Sequence, residues 1–587
     1  MTWQAWLTLA VIVAIVVVLV RDLLSPAAAM GSGAVVLLAA GVITPAQALS
    51  GFANPAPATI AALYIVAAAI SKTGALAPLV RGVLGDGRGA RSVLLRLTAP
   101  TAAASSFMNN TPIVAMLAPQ VERWARVRGR PPSKFLMPLS FAAILGGVVT
   151  LMGTATNIVV SGLLESDGYT PFGFFEISRI GLPIALVGIA AIVLMAPKIL
   201  PDRRAPSVAD DEEFRQFNMT MRVLPGIDGL TVETAGLRHL SGVFLAQVER
   251  SGELITPVGH DTVLRTDDVL RFVGRVDQVV DLESMPGLVS TEDSQVAMLD
   301  AQQVTHYEAV VGTSSPLLGG TLRDVGFRGR YQAVVTAIHR AGQRIDAKLG
   351  DVVLQVGDTL VVIGDRDWGG RWKERSDFAL VATLDAAAPV AGRRAAFTTL
   401  VAAGMVILAA SGVVPLVTAA LLGAAAFVAT RTITPSEART AIDFDVIITI
   451  AAAFGVAAGL QASGLAETAA KDLIGVLGGI GGVGALAGVI VATVLLKEVI
   501  TNNAAALMIL PLALATAAEL GLNPRTFAFG VAVAAATPFL TPIGYQTNLM
   551  VYGPGGYRFT DYLRLGIPLT VIVIVMLIIG LPILWPL

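Results

Sequence analysis

The chain has 587 residues, 55% of them apolar and only 14% charged, with a net charge of −1 and no cysteine. Soluble domains carry about 25% charged residues, so this composition marks a membrane protein. The balanced charge excludes a general nucleic-acid binder. The missing thiols exclude disulfides, thiolate metal centres and cysteine nucleophiles.

Several apolar runs reach the ~18–20 residues that cross a bilayer, which predicts an all-α polytopic membrane protein. The start, Met1-Thr2-Trp3-Gln4-Ala5-Trp6, lacks a basic stretch and a cleavage site, so the first run is expected as a retained helix. Crossings are expected near 3–20, 27–43, 55–73, 135–152 and 178–198. Between the third and fourth lies a different pattern, at 92–126. Two apolar arms, 92–107 and 112–125, are broken at Asn109-Asn110-Thr111-Pro112. At ~1.5 Å per residue each arm reaches about 22 Å, short of a ~30 Å hydrocarbon core. That predicts a re-entrant hairpin with a polar tip at mid-membrane. Pro112 suits the first position of the returning arm, where a missing N–H costs nothing. A second break, Gly153-Thr154-Ala155-Thr156-Asn157, interrupts another apolar stretch. Irregular backbone at that depth is tolerated where it lines a cavity or is buried in protein.

From 199 to 393 charges appear throughout, and all four histidines (239, 260, 306 and 339) lie here. Short alternating runs predict strands. The segment repeats at an offset of 90: Arg250 falls on Arg340, Gly252 on Gly342, Leu264 on Leu354, Asp268 on Asp358 and Gly274 on Gly364. Two small α/β units, 199–296 and 297–393, are expected. The histidines read as surface residues of this insert.

Residues 394–587 replay the first membrane half, 1–198. Crossings are expected near 396–412, 413–430, 444–463, 526–541 and 564–586, with a second hairpin at 480–518 whose arms flank Asn502-Asn503. Thr73-Gly74 matches Ser463-Gly464 at offset 390, Asn109-Asn110 matches Asn502-Asn503 at 393, and Gly153 and Asn157 match Gly544 and Asn548 at 391. Loops 81–91 and 122–134 carry Arg81, Arg88, Arg91, Arg123, Arg126, Arg128, Arg130 and Lys134, whereas 44–54 and 164–178 carry no Lys or Arg. The basic loops are cytoplasmic by the positive-inside rule. With five crossings per half, residues 199–393 are cytoplasmic and the second half is inverted, the plan of secondary transporters with broken helices at the midplane.

The two tips and two breaks offer amides, hydroxyls, free carbonyls and helix-start N–H groups. Carbonyl and amide oxygens suit Na⁺, and helix N-termini attract anions. An asparagine in a membrane helix can merely glue helices, worth about 0.6–2 kcal/mol; matched pairs at both breaks favour a site. Lys497-Glu498 reads as a site charge or proton relay, or, as the favoured reading, a mutually neutralising pair. Glu498 aligns with Ser105. Asp443 and Asp445 are expected at a helix start, and Tyr545 lines the site or only packs.

Phe107–Pro119 and Val499–Pro511, with Gly153-Thr154-Ala155-Thr156-Asn157 and Gly544-Tyr545-Gln546-Thr547-Asn548, resemble the divalent-anion/sodium symporter family of the ion transporter superfamily, over about two thirds of the chain. That family has Ser-Asn-Thr at each tip; here Asn replaces Ser at 109 and 502, and Ala504 replaces Thr. The resemblance implies Na⁺ as coupling ion. One Na⁺ site would use Ser105, Asn109, Asn110 and Gly153, the other Thr501, Asn502, Asn503 and Gly544. A small anionic substrate would be touched by Asn109, Asn110, Thr111, Thr154, Asn502, Asn503, Gln546 and Thr547. Ala504 removes a hydroxyl that family members use on substrate, which counts against a dicarboxylate. The duplicated insert resembles the C-terminal domain of potassium-conductance regulators (TrkA-C type), and that combination resembles the sodium/sulfate branch, making sulfate the lead substrate. The resemblance further implies a homodimer in the cell membrane, with 27–73 and 413–463 as scaffold, and a small regulatory ligand on the cytoplasmic pair. A Na⁺/dicarboxylate symporter, a cation/proton antiporter centred on Glu498 and a ligand-gated channel are the rival readings. No nucleophile–base set points to an enzyme.

Overall fold

The computed structural model describes the chain except residues 22, 76–88, 204–216, 238–242, 251–252, 256–257, 275–286, 291–304, 313–314, 341–342, 346, 348, 366–367, 373–374, 376, 384–393, 478–480 and 543. Arg81, Arg88, His239, Gly252, Gly342 and the expected boundary at 296–297 lie outside the described residues. The chain forms two compact units. Met1–Arg203 with Ala387–Leu587 makes one, and Arg204–Ala386 the other.

The larger unit is helical. Its first part contains α1 (Trp3–Val20), α2 (Pro26–Ala39), α3 (Pro55–Thr73), α4 (Ala90–Ser105), α5 (Asn110–Val127), α6 (Leu136–Gly147), α7 (Ala155–Ser166) and α8 (Ser178–Ile199). Its second part contains α9 (Ala395–Ala410), α10 (Leu416–Ala429), α11 (Phe444–Ala462), α12 (Leu465–Leu477), α13 (Gly481–Lys497), α14 (Asn502–Glu519), α15 (Pro524–Ala535), α16 (Gln546–Tyr552) and α17 (Phe559–Leu584). Among the described residues, α3, α8, α11 and α17 are long and apolar enough to cross a bilayer alone. The ends of α3 follow from local chemistry. Asn54 Oδ1 accepts from Ala56 N at 2.9 Å, Pro55 fills the first turn, and Gly74 ends the helix at φ +66°. Asp443 caps α11 through Val446 N, and Asp445 lies in its first turn.

Three expectations change. The crossings placed at 135–152 and 526–541 are broken: α6 and α15 have 12 residues each, about 18 Å, and irregular backbone at 148–154, and at 536–542 with 544–545, lies before α7 and α16. Helix α12 was not foreseen, because its charges mask its apolar face. Pro112 stands third in α5, not first, because Asn109 is the N-cap; its missing N–H still belongs to the four that lack a helical partner.

Local structure recurs between the two parts. Thr44-Pro45-Ala46-Gln47 and Thr434-Pro435-Ser436-Glu437 both form capping boxes, 390 residues apart. A Cβ on Gly181 would lie 2.0 Å from Val148 O, and one on Gly566 2.1 Å from Phe539 O. Each long helix therefore packs its glycine against the backbone of a break. Equivalent helices touch at opposite ends. A Cβ on Gly580, near the end of α17, would meet Ile180, near the start of α8. Lys72, at the end of α3, bonds Glu437, just before α11, at 2.6 Å.

The smaller unit holds two five-stranded antiparallel sheets. The first has β1 (Phe217–Val223), β2 (Val243–Arg250), β3 (Glu253–Ile255), β4 (Val269–Gly274) and β5 (Leu288–Ser290), in the order β3-β2-β4-β1-β5. The second has β6 (Thr305–Val311), β7 (Val334–Arg340), β8 (Gln343–Arg344), β9 (Thr359–Gly364) and β10 (Phe378–Thr383), in the equivalent order β8-β7-β9-β6-β10. Bulges fall at Leu245/Gln247 and Val335/Ala337, again 90 residues apart. Arg250 grips Asp268 at 2.8 and 2.6 Å, and Arg340 grips Asp358 at 2.8 and 2.7 Å. Among the described residues the α-helices of this unit are single turns, Phe327–Tyr331 and Trp368–Trp372.

Candidate functional site

Four helix starts meet inside the larger unit: α5 and α14 behind the hairpin tips, α7 and α16 behind the breaks. Of their four N-cap residues, Thr501 alone caps with its side chain. Asn109 and Thr501 are the N-caps at the tips, Thr154 and Tyr545 those at the breaks. A helix start carries roughly half a positive charge and free N–H groups.

The tip of each hairpin reaches the break of the opposite half. Asn110, fully buried, donates to the Tyr545 hydroxyl at 3.1 Å, and Ser105 donates to Asn110 Oδ1 at 2.5 Å. Thr111 donates to Gln546 Oε1 at 3.4 Å. In the mirrored place, Thr156 donates to Asn503 Oδ1 at 2.9 Å. Thr154 also hydrogen-bonds Tyr545. These contacts join residues 347 to 435 positions apart. Asn109 lines an open cleft with Tyr64, Phe107, Met108, Met152 and Ala155.

The breaks are held open by glycine. A Cβ on Gly147 would stand 2.8 Å from Asn110 Oδ1, and one on Gly153 2.5 Å from Gly147 O. Asn110, Ser105, Gly147 and Gly153 are thus close neighbours carrying neutral side-chain and carbonyl oxygens, the donor chemistry that suits Na⁺. The second half is different. Asn502 is buried, and its Oδ1 has no protein partner. Thr501 Oγ accepts from Ala504 N, spending its oxygen on the helix cap. Near Gly544, a Cβ would lie 2.8 Å from Thr541 Oγ and 3.1 Å from Glu498 Oε2. Thr547 is fully buried, its hydroxyl 2.9 Å from that of Ser140 on α6, whereas Gln546 is exposed.

Lys497 and Glu498, expected as a mutually neutralising pair, make no direct ion pair with each other among the described contacts. Lys497, fully buried, donates to Thr537 O. Glu498 accepts from Leu540 N at 3.4 Å and Thr541 Oγ at 3.1 Å. The two side chains serve separate backbone partners in one break. Tyr545 lines the junction of the halves. Gly147 and Ser140 were missed by sequence reasoning. Gly147 lies in a Gly146-Gly147 pair just before the break, which was a readable signal.

A family model described as citrate transporter matches residues 12–534. The chain belongs to the citrate transporter family. Proteins similar to it include a putative sulfur deprivation response regulator of Chlamydomonas reinhardtii, 35% identical over 94% of this chain and 97% of that one. An uncharacterized transporter of Synechocystis is 34% identical over 98% of each chain. A probable sodium/sulfate cotransporter 3 of Chlamydomonas reinhardtii is 27% identical over 90% of this chain and 82% of that one. This member of the citrate transporter family is a multi-pass membrane transporter and not an enzyme.

Proposed function

We propose that the protein is a Na⁺-coupled symporter of a small divalent anion, with sulfate as the lead substrate, working by alternating access. The observation that carries this reading is the crossing of tips and breaks, Asn110 with Tyr545 and Asn503 with Thr156. Four helix starts converging on one place favour an anion. Neutral oxygens beside them favour Na⁺. Sulfate is supported by relatives named sodium/sulfate cotransporters.

In this reading, halves 1–198 and 394–587 form an inverted repeat, which the contact of α8 and α17 at opposite ends supports. Na⁺ is held by Ser105, Asn109, Asn110 and Gly153 and draws the first tip onto its break. The anion then sits between the helix starts, against Asn110, Thr111, Thr154, Asn502, Asn503 and Gln546. The hairpins move against a scaffold of 27–73 and 413–463, at which two copies dimerise. The two units 199–296 and 297–393 lie in the cytoplasm, bind a small ligand and bias the cycle.

Uptake of sulfate, succinate and citrate into proteoliposomes, with Na⁺ or with K⁺ replacing it, tests the reading. Sulfate uptake that requires Na⁺ is the expected result. Na⁺-independent uptake removes the coupling. Preference for citrate, the substrate in the matching family's description, removes sulfate.

A further inference from the structure

The chain leaves the larger unit after Arg203 and is described there again from Arg394. Its exit is fastened to the starts of α6 and α17. Lys134, just before α6, donates to Pro197 O at 2.9 Å and to Leu200 O, and pairs with Asp202 at 2.8 Å. An ammonium there meets the negative end of α8. Ser133 donates to Pro201 O at 2.7 Å and accepts from Arg203 N at 2.9 Å. The Arg203 guanidinium reaches Asp561, fully buried in the first turn of α17, at 3.3 Å. A carboxylate so buried is costly without such a partner.

Helix packing accounts for part of this. Thr526 stands where the first half has Ser133, at offset 393, and donates to Trp585 O at the end of α17 at 3.0 Å. Both halves thus tie their last helix to the start of their broken one. The bonds of Lys134 go beyond that shared tie, because its place is taken in the second half by Phe527, which has no side-chain donor. The added fastening falls where the chain goes on into the smaller unit. Helix α6 carries it to the site, with all 12 of its residues buried. Ser140 donates to Asn548 Oδ1 at 2.7 Å, a Cβ on Gly146 would lie 2.2 Å from Ala102 O in the first hairpin, and Gly147 abuts Asn110. The return is fastened elsewhere. Arg394, the N-cap of α9, donates to Arg431 O, just past α10, at 2.6 Å. Met405 of α9 shares a buried core with Val66 of α3 and Phe427 of α10.

We infer that the smaller unit is a tether between the two bodies that move in the transport cycle. Lys134 and Arg203 fix its exit to the hairpin-bearing body, Arg394 fixes its return to the scaffold of 27–73 and 413–463, and its span limits how far the hairpins travel. A change of shape in the smaller unit then biases transport without touching the anion site. The inference rests on the reading that the hairpins move against that scaffold.

The test measures the travel. Val127, the exposed last residue of α5, and Ser436, exposed ahead of α11, are replaced by cysteine in the cysteine-free chain and spin-labelled. Their separation is read by double electron–electron resonance in lipid nanodiscs, with Na⁺ or K⁺ and whichever of sulfate, succinate and citrate is taken up. A Gly-Ser insertion of about ten residues between Arg203 and Arg204 keeps every contact named above and adds roughly 16–19 Å of slack. It is expected to widen the distribution of separations and to change the uptake rate about twofold or more. Lys134→Met with Arg203→Gln frees the exit and is expected to do the same. An insertion with the wild-type distribution and uptake overturns the tether. A folded double variant with the wild-type distribution overturns the fastening through Lys134 and Arg203; should it fail to fold, the insertion still decides. One separation shared by Na⁺ and K⁺ in all three proteins overturns the moving-hairpin reading itself, and the tether with it.

Discussion

Asn157 and Asn548 make the same pair of hydrogen bonds in the two halves of the membrane unit. Each side-chain amide donates to the carbonyls ten and seven residues before it: Gly147 and Thr150 at 3.3 and 3.0 Å, Pro538 and Thr541 at 3.0 and 3.2 Å. Both side chains are fully buried. A break in a helix frees carbonyls that hydrocarbon cannot satisfy. One asparagine per break ties two of them down.

Removing the Asn548 amide leaves two carbonyls unpaired, whereas removing that of Asn157 leaves one, because Gly153 N still donates to Thr150 O at 3.4 Å. Each buried orphan costs about 1–3 kcal/mol, so Asn157→Ala is expected to destabilise by about 1–3 kcal/mol. Asn548→Ala is expected to cost more, because Ser140 also donates to Asn548 Oδ1 at 2.7 Å, whereas Asn157 Oδ1 has no partner. Thermal unfolding of the detergent-solubilised variants checks the ranking.

Asn110 joins the first tip to the second break through Tyr545. Tyr545→Phe keeps the ring and loses that bond, worth about 0.5–1.5 kcal/mol, so a roughly 2- to 12-fold fall in transport at low Na⁺ is expected. Asn110→Ala also strands Ser105 and is expected to abolish coupled uptake. A Na⁺ titration of uptake separates the two effects. Wild-type Na⁺ dependence in Asn110→Ala would remove the residue from the cation site.

Two contacts report the sidedness of the membrane unit. Lys72 bonds Glu437 at 2.6 Å, and Gln461 bonds Asp167 at 2.8 Å. The chain has no cysteine, so single replacements give a clean background. Lys72→Cys and Glu437→Cys are expected to resist a membrane-impermeant maleimide in intact cells. Asp167→Cys and Gln461→Cys are expected to react. Labelling of all four from outside would remove the inverted arrangement. The Lys72 hydrogen bond, followed by the Thr434 backbone, pushes the Glu437 carboxyl down to about 2. Both side chains are 39–45% exposed, so either cysteine should cost less than about 1 kcal/mol.

In the smaller unit, burial acts to raise the Asp268 carboxyl. Hydrogen bonds from Arg250 and from Arg265 N outweigh it and hold the group below the usual aspartate range. A depressed carboxyl contributes stability that is fully present above its unfolded pKa of about 3.9 and is lost as pH falls through the lower folded value. Acid loosening of this sheet is therefore expected below about pH 4. At neutral pH, Asp268→Asn is expected to cost about 2–3 kcal/mol. That is less than the ~3–5 of a fully buried pair, because Arg250 keeps 25% of its side chain exposed. Asp358→Asn should match it, since Arg340 and Asp358 repeat the geometry. Hydrogen exchange across β2 and β4, and across β7 and β9, reads both.

The sequence by itself marked the segments that form helices in lipid and the places where they break. Hydrocarbon forces each segment to satisfy its own backbone, so apolar arms and an asparagine pair suffice to locate a tip. The pairing of Arg250 and Asp268 with Arg340 and Asp358 was equally legible, because the copies keep one spacing of 90. The twin capping boxes at Thr44 and Thr434 were readable too, as Ile-Thr-Pro at offset 390, but were passed over. Only the tertiary structure decided that Asn110 meets Tyr545, 435 residues away, and that Lys497 and Glu498 grip separate backbone groups rather than each other. Local patterning sets which backbone groups are left over in each half. Which side chain reaches them depends on how the two halves pack, and no short stretch of chain encodes that.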